Sequence, residues 1–254
     1  MAKRTLWGAV YAAVLIVVFG FSSIGSVLLA LFTLVLLNEL ATIQKMESRF
    51  PSIAIAAIIL VLGWFNSWGE TKELITSTIL YSVLLSFTLL RAKQPALEIR
   101  RGLFAIAYIW VPLNFTIQNA RETPELILFI FVMIWSSDSS AYFFGRFFGK
   151  RPLAPRLSPK KTIEGMVGGI FGTIVIGLIA NYYWGLMPVH IAASLALSVS
   201  ITAPLGDLVA SAIKREADVK DSGVFLPGHG GALDRLDSFI TAAPLALILY
   251  QYLS

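Results

Sequence analysis

Residues 5–38 contain no charged side chain, a run too long for one straight helix across a bilayer. A spanning helix needs about 20 mostly apolar residues, so the run divides at the Gly20 to Gly25 segment into spans at 6–20 and 24–40. Further apolar stretches lie at 51–67, 74–91, 102–118 and 126–145. A second charge-free run, 165–206, divides between Tyr183 and Pro188, and a last stretch covers 238–253. The pattern predicts an all-α polytopic membrane protein of nine transmembrane helices. Within it, residues 1–120 form a supporting N-terminal part and residues 121–254 a C-terminal part that carries the long polar loops.

Composition supports the same class. Hydrophobic residues make up 57% and charged residues 14% of the 254, against roughly 45–50% and about 25% in soluble domains. The chain has no cysteine and only two histidines, His190 and His229. That excludes disulfides, thiolate catalysis and cysteine-based metal centres, and argues against a multi-histidine site. A net charge of +5 suits contact with anionic lipid headgroups. The bases are scattered between apolar segments, a poor arrangement for nucleic acid. Lys3 and Arg4 before an apolar run imitate a secretory leader, but no processed soluble domain follows, so this segment is read as a retained first span.

Orientation follows from Lys and Arg alone. With the N-terminus in the cytoplasm and sides alternating, eighteen of the twenty basic residues fall on inner segments, and only Lys72 and Arg121 fall outside. One miscounted span would invert every later loop, so the bias supports an odd number of spans with the C-terminus outside. The inner loops 146–162 and 211–237 mix bases with carboxylates, glycines and prolines, which topology alone does not require.

The loop 211–237 holds the densest chemistry. If the eighth span stays helical to about Arg215, then Asp207, Ser211 and Lys214 or Arg215 share one face. Asp207 then lies just inside the membrane, where an unpaired carboxylate is costly and marks function. Asp234 and Asp237, three residues apart, share a face at the start of the ninth span, and Asp221 comes from the loop between them. Four carboxylates without competing thiolates or paired imidazoles suit a hard, oxygen-seeking cation. Lys214, Arg215, Lys220 and Arg235 supply positive charge for phosphate oxygens. Gly228, Gly230 and Gly231 let backbone N–H groups approach an anion closely.

The order Ser211, Lys214-Arg215, Lys220-Asp221-x-Gly223, Leu226-Pro227-x-His229-Gly230-Gly231 and Asp234-Arg235-x-Asp237 resembles the signature of the phosphatidate cytidylyltransferase (CDP-diacylglycerol synthase) family, with every fixed position present. The resemblance extends upstream through Asp138, Tyr142 and Arg146, through Ser158, Lys160 and Lys161, and through Gly206-Asp207. It implies a magnesium-dependent nucleotidyltransferase that joins the CMP part of CTP to phosphatidic acid. The implied metal ligands are Asp207, Asp221, Asp234 and Asp237, with room for a second cation. The implied catalytic set adds Lys214, Arg215, Lys220, Arg235 and His229, the last either donating to a phosphate or fixing its turn. Asp138, Tyr142, Arg146, Ser158, Lys160, Lys161, Ser211 and the three loop glycines are the implied substrate-binding groups.

Lys220 and its neighbours are expected at the CTP phosphates, and Lys160 and Lys161 at the lipid headgroup or, alternatively, at the outer phosphates of CTP. Such an enzyme would present a cytoplasm-facing polar cavity, open sideways to lipid, in a bacterial cell membrane, and it could pair as a homodimer. Two competing readings are a CTP-dependent lipid kinase, which would release CDP instead of pyrophosphate, and a transporter or scaffold. Against transport, the ionisable residues gather at one end instead of lining a path across the bilayer.

Overall fold

A computed structural model describes residues 2–21, 24–47, 49–65, 70–225 and 230–254. Among them the chain forms ten helices and one small hairpin. Helices α1 (Ala2–Phe21), α2 (Gly25–Ile43), α3 (Arg49–Phe65) and α4 (Glu70–Leu89) correspond to the first four expected spans. The fifth is a continuous rod: α5 (Pro95–Ala105) runs through a π-helical turn at Ile106–Trp110 into α6 (Val111–Glu122). Thr123 breaks the rod, and Pro124, whose missing N–H costs nothing at a helix start, opens α7 (Pro124–Phe148). Then come α8 (Ile163–Trp184), α9 (Val189–Glu216) and α10 (Leu233–Leu253). Gly185, in the left-handed conformation, ends α8 where the second charge-free run was expected to divide.

Five helices, α2, α7, α8, α9 and α10, are each long and apolar enough to cross a membrane. Large apolar side chains such as Val17, Ile58, Phe171 and Ile179 stand exposed on the outside. In water that surface would aggregate; in lipid it is solvated. The chain is an all-α polytopic membrane protein with one addition that the apolar pattern did not signal. Strands β1 (Pro152–Ala154) and β2 (Ser158–Thr162) form an antiparallel hairpin in the 146–162 loop.

The helices α7 to α10 pack most extensively on one another, with α1 against α7 and α2 against α6. Small residues let α7 and α8 approach closely, as is usual where lipid gives no hydrophobic drive to helix association. A Cβ at Gly165 would stand 2.8 Å from the Ala141 carbonyl oxygen and 3.2 Å from the Gly145 Cα. Between α7 and α10 the rings of Phe131 and Phe239 stack, with centroids 4.2 Å apart. In the N-terminal part Tyr81 stacks on Trp110 at 4.5 Å. Helix α2 turns Gly25, Leu29, Phe32, Leu36 and Leu40 inward at helical spacing, and Glu39 is buried beside them.

Candidate active site

Helix α9 remains helical to Glu216, so Asp207, Ser211 and Lys214 share a face as their spacing required. Pro204 lies inside this helix and removes one backbone hydrogen bond three residues before Asp207. Gly206 then lets α10 close in, since a Cβ there would stand 2.5 Å from the Asp237 carbonyl oxygen and 3.1 Å from the Ser238 Cα. This approach brings the Asp207 and Asp237 carboxyl groups within hydrogen-bonding reach of each other. Asp237 is buried and also accepts the Ser238 N–H at 2.7 Å. Asp207 is half-buried and forms an ion pair with Lys161.

Lys161 reaches Asp207 because the hairpin is held firmly at the head of α8. The Glu164 carboxylate accepts the N–H of Lys150 at 3.0 Å, the N–H of Arg151 at 3.1 Å and Arg151 Nε–H at 2.9 Å. Thr162 caps α8, its Oγ1 accepting the Gly165 N–H at 3.1 Å. Lys161 is thus fixed between a strand pair and a capped helix.

Asp234 is placed differently. It accepts Lys214 Nζ–H at 2.5 Å, the Ser222 N–H at 2.8 Å and the Gly231 N–H at 2.9 Å, and the Ser222 hydroxyl oxygen lies 3.1 Å away, nearer to Glu39. Gly230 turns the loop with φ +77, and a Cβ there would stand 2.5 Å from Asp234 Oδ2. Glycine is required on both counts.

Two cavities of about 330 Å³ each border these groups. The first, between α7, the hairpin, α8 and α9, is lined by Asp138, Tyr142, Arg146, Lys160 and Lys161. The second, between α1, α7 and α10, is lined by Tyr11, Asp138, Asp234, Arg235 and Asp237. Asp138 borders both, which explains an exposed carboxylate in the middle of an apolar helix. Arg146 Nη1–H donates to the Tyr142 hydroxyl at 3.1 Å, one helical turn away.

The expected residues are therefore gathered only in part. Among the described residues no group of three or more carboxylates or imidazoles lies close enough to share a metal ion. Of the four expected ligands, Asp207 and Asp237 meet. Asp234 is turned to Lys214 and the loop amides, and Asp221 is exposed in that loop. Lys161, expected at a lipid headgroup, forms an ion pair with Asp207 on α9 from the hairpin at the head of α8. Arg215 donates to the Val219 carbonyl at 3.1 Å. Ser158 pairs with Ala154 in the hairpin and lines neither cavity. Ser211 is half-buried on α9, and Lys220 is exposed. Gly228 and His229 lie outside the described residues.

Three further groups enter the site from the N-terminal part, where the sequence reading placed none. The hydroxyls of Tyr11 and Tyr108 are buried without a hydrogen-bond partner among the described residues. Both lie within electrostatic range of Asp237. Tyr108 sits in the π-helical turn, a distortion frequently found at functional positions. The third group is Glu39, whose carboxylate reaches the 222–233 segment.

The Asp207–Asp237 pair also fits a magnesium ion. Magnesium is commonly held by one or two carboxylates, the remaining positions going to water and substrate phosphate oxygens. Two adjoining carboxylates repel each other unless a proton or a cation lies between them, and Lys161 pairs with Asp207.

Comparison with known proteins is consistent with this geometry. The cytidylyltransferase family model matches residues 2–253. A phosphatidate cytidylyltransferase of Staphylococcus aureus (strain COL) is 35% identical over 227 residues, covering 86% of each chain. One of Staphylococcus epidermidis (strain ATCC 12228 / FDA PCI 1200) is 36% identical over 237 residues, covering 89% of this chain and 90% of the relative. One of Staphylococcus saprophyticus is 36% identical over 238 residues, with the same shares. A match that spans the whole helical array, from α1 to the end of α10, makes this chain a member of the cytidylyltransferase family.

Proposed function

We propose that the chain is a CTP:phosphatidate cytidylyltransferase, making CDP-diacylglycerol and pyrophosphate. The observation that carries this reading is the adjoining Asp207 and Asp237, joined through Lys161 to a cavity that Arg146 and Lys160 also line. Acidic and basic groups meet there, as a reaction between two phosphates requires.

In the proposed reaction a phosphatidate oxygen attacks the α-phosphorus of CTP in line. The new P–O bond forms as the bond to the β-phosphate oxygen breaks, and pyrophosphate leaves with that electron pair. The attacking phosphate is already ionised near neutral pH, so no side chain need remove a proton. Positioning and charge neutralisation then supply the rate. Asp207 and Asp237 would hold one magnesium ion, which supplies Lewis-acid stabilisation of phosphate oxygens when bound. Lys161, joined to Asp207, would hold a phosphate at the reacting centre, while Arg146 and Lys160 line the approach for the lipid headgroup. Lys220 and Arg235 would meet the outer phosphates of CTP. Lys214 and Asp234 satisfy each other and fix the loop that carries Lys220.

The test is to incubate the purified protein in phospholipid vesicles with magnesium, labelled CTP and phosphatidic acid, and to identify both products. CDP-diacylglycerol with pyrophosphate is expected. CDP with a newly phosphorylated lipid would establish the kinase reading instead.

The basic-residue bias supports a cytoplasmic site with the C-terminus outside, and the bacterial relatives support a bacterial cell membrane. A single cysteine at Val224, which is 90% exposed, should react with an impermeant thiol reagent only once the inner face is opened. The native chain has no cysteine to interfere. Ser222 in the same loop is a poorer reporter because it is buried.

A further inference from the structure

Glu39 is 8% exposed, lies one turn before the end of α2, and among the described residues forms no ion pair with Lys or Arg. A buried carboxylate without compensation is costly. Its compensation comes from the far end of the chain. Oε1 accepts the Ala232 N–H at 2.8 Å, and Oε2 accepts the Leu233 N–H at 2.9 Å and the Ser222 hydroxyl at 2.8 Å. Ala232 and Leu233 open α10, and Ala232 has no side chain that could cap it. The first N–H groups of a helix have no acceptor within it and favour a negative charge. Glu39 therefore caps α10 from another helix, and through Ser222 it holds the loop leading into it. The neighbouring glycines fit this arrangement. A Cβ at Gly223 would stand 3.1 Å from Glu39 Oε1, and one at Gly231 would collide with Ser222 Oγ and the Glu39 carboxylate.

We infer that Glu39 is a positioning residue for cytidylyl transfer: it fixes the start of α10, and with it the placement of Asp234 and Asp237 relative to Lys214 and Asp207. The inference rests on the proposed function for its kinetic consequence and on the hydrogen bonds alone for its structural one. Glu39 touches no substrate; it acts through the loop and the helix end. The cavity lined by Arg146, Lys160 and Lys161 is built from α7, the hairpin, α8 and α9, whereas the hydrogen bonds of Glu39 go to Ser222, Ala232 and Leu233.

The test compares wild type with E39Q, both as full-length protein in vesicles. The variant keeps the shape of the side chain but puts an NH₂ group where only donors point, so at least one N–H loses its acceptor. Turnover at saturating substrates should fall between about 10- and 100-fold, the usual cost of a small misplacement at a reacting centre. The KM for phosphatidic acid should stay at its wild-type value. Wild-type turnover per folded molecule in E39Q, even with poorer yield or a lower unfolding midpoint, would reduce Glu39 to a structural role and overturn the inference.

A second measurement does not depend on the variant folding. In the wild-type protein, hydrogen exchange at Ala232 and Leu233 should be as slow as in the interior of α10. Exchange there at the rate of an exposed loop would also overturn the inference. If wild type released CDP instead of pyrophosphate, the proposed reaction would fail while the exchange result still decided whether Glu39 anchors α10.

Discussion

Two lysine–aspartate pairs lie within the site and differ in what surrounds them. In Lys214–Asp234 the side chains are 10% and 8% exposed, and the carboxylate has two further backbone N–H donors, from Ser222 and Gly231. In Lys161–Asp207 both side chains are 28% exposed, and the carboxylate faces a second acid, Asp237. The first pair is saturated, so removing either member strands a buried charge. The second is more open, and its Lys161 lines a cavity. The same two residue types therefore serve two purposes, one pair fixing a loop and the other leaving room for a ligand.

The largest effect should come from breaking the saturated pair. D234N leaves Lys214 buried without its counter-ion, which costs ~3–5 kcal/mol, and thermal unfolding in detergent should show a midpoint well below wild type. D207N should behave in the opposite manner. Its unfolding midpoint should stay near wild type while turnover falls about 10²–10³-fold, or ~3–4 kcal/mol of activation. Equal midpoints for the two variants would erase the distinction between the pairs.

A smaller effect separates the two adjacent lysines of the hairpin. A charged hydrogen bond to phosphate contributes ~1.5–3 kcal/mol, or roughly 10- to 150-fold. K161Q, at the Asp207 pair, should lower kcat by about that factor. K160Q, exposed at the cavity edge, should mainly raise the KM for phosphatidic acid. Identical kinetic changes in both variants would mean that contact with Asp207 confers no special role. The smallest effect is steric. G206A places a methyl against the backbone of Asp237 and Ser238, which cannot swing aside. Overpacking of this kind costs ~1–3 kcal/mol, and activity should fall because α9 and α10 separate where Asp207 meets Asp237.

The helices were legible in the sequence because lipid imposes a simple pattern: long runs without charge, broken at glycine and proline. The shared face of Asp207, Ser211 and Lys214 was expected on condition that the helix continued to about Arg215, and α9 runs to Glu216; the meeting of Asp207 with Asp237 lay within the expected carboxylate set. The hairpin was not legible. Its strands are three and five residues long, and the second reads Ser158 to Thr162 with a proline and two lysines, a sequence without alternation of apolar and polar positions. The Lys161–Asp207 pair depends on that hairpin and was hidden with it. The partners of Asp234 were not legible, because carboxylate spacing along a helix says nothing about which backbone amides a neighbouring loop will offer. Glu39 carried a signal that went unread, since a carboxylate near the end of an apolar helix is expensive and implies a partner.

The Glu39 contacts also set a schedule for making the protein. Glu39 precedes Ser222 by 183 residues and Leu233 by 194. At roughly 5–20 residues per second, a ribosome needs on the order of 10–40 s to cover that distance. During this interval α2 is already synthesised, yet its carboxylate has none of the three donors that satisfy it in the finished protein. The second helix must therefore enter the membrane with an unmet charge near one end, kept in contact with water or headgroups until the last helix arrives. Assembly of the site is in this sense a terminal event of translation, and a chain cut short before Ser222 would retain most of its spans while leaving Glu39 with nothing to hold.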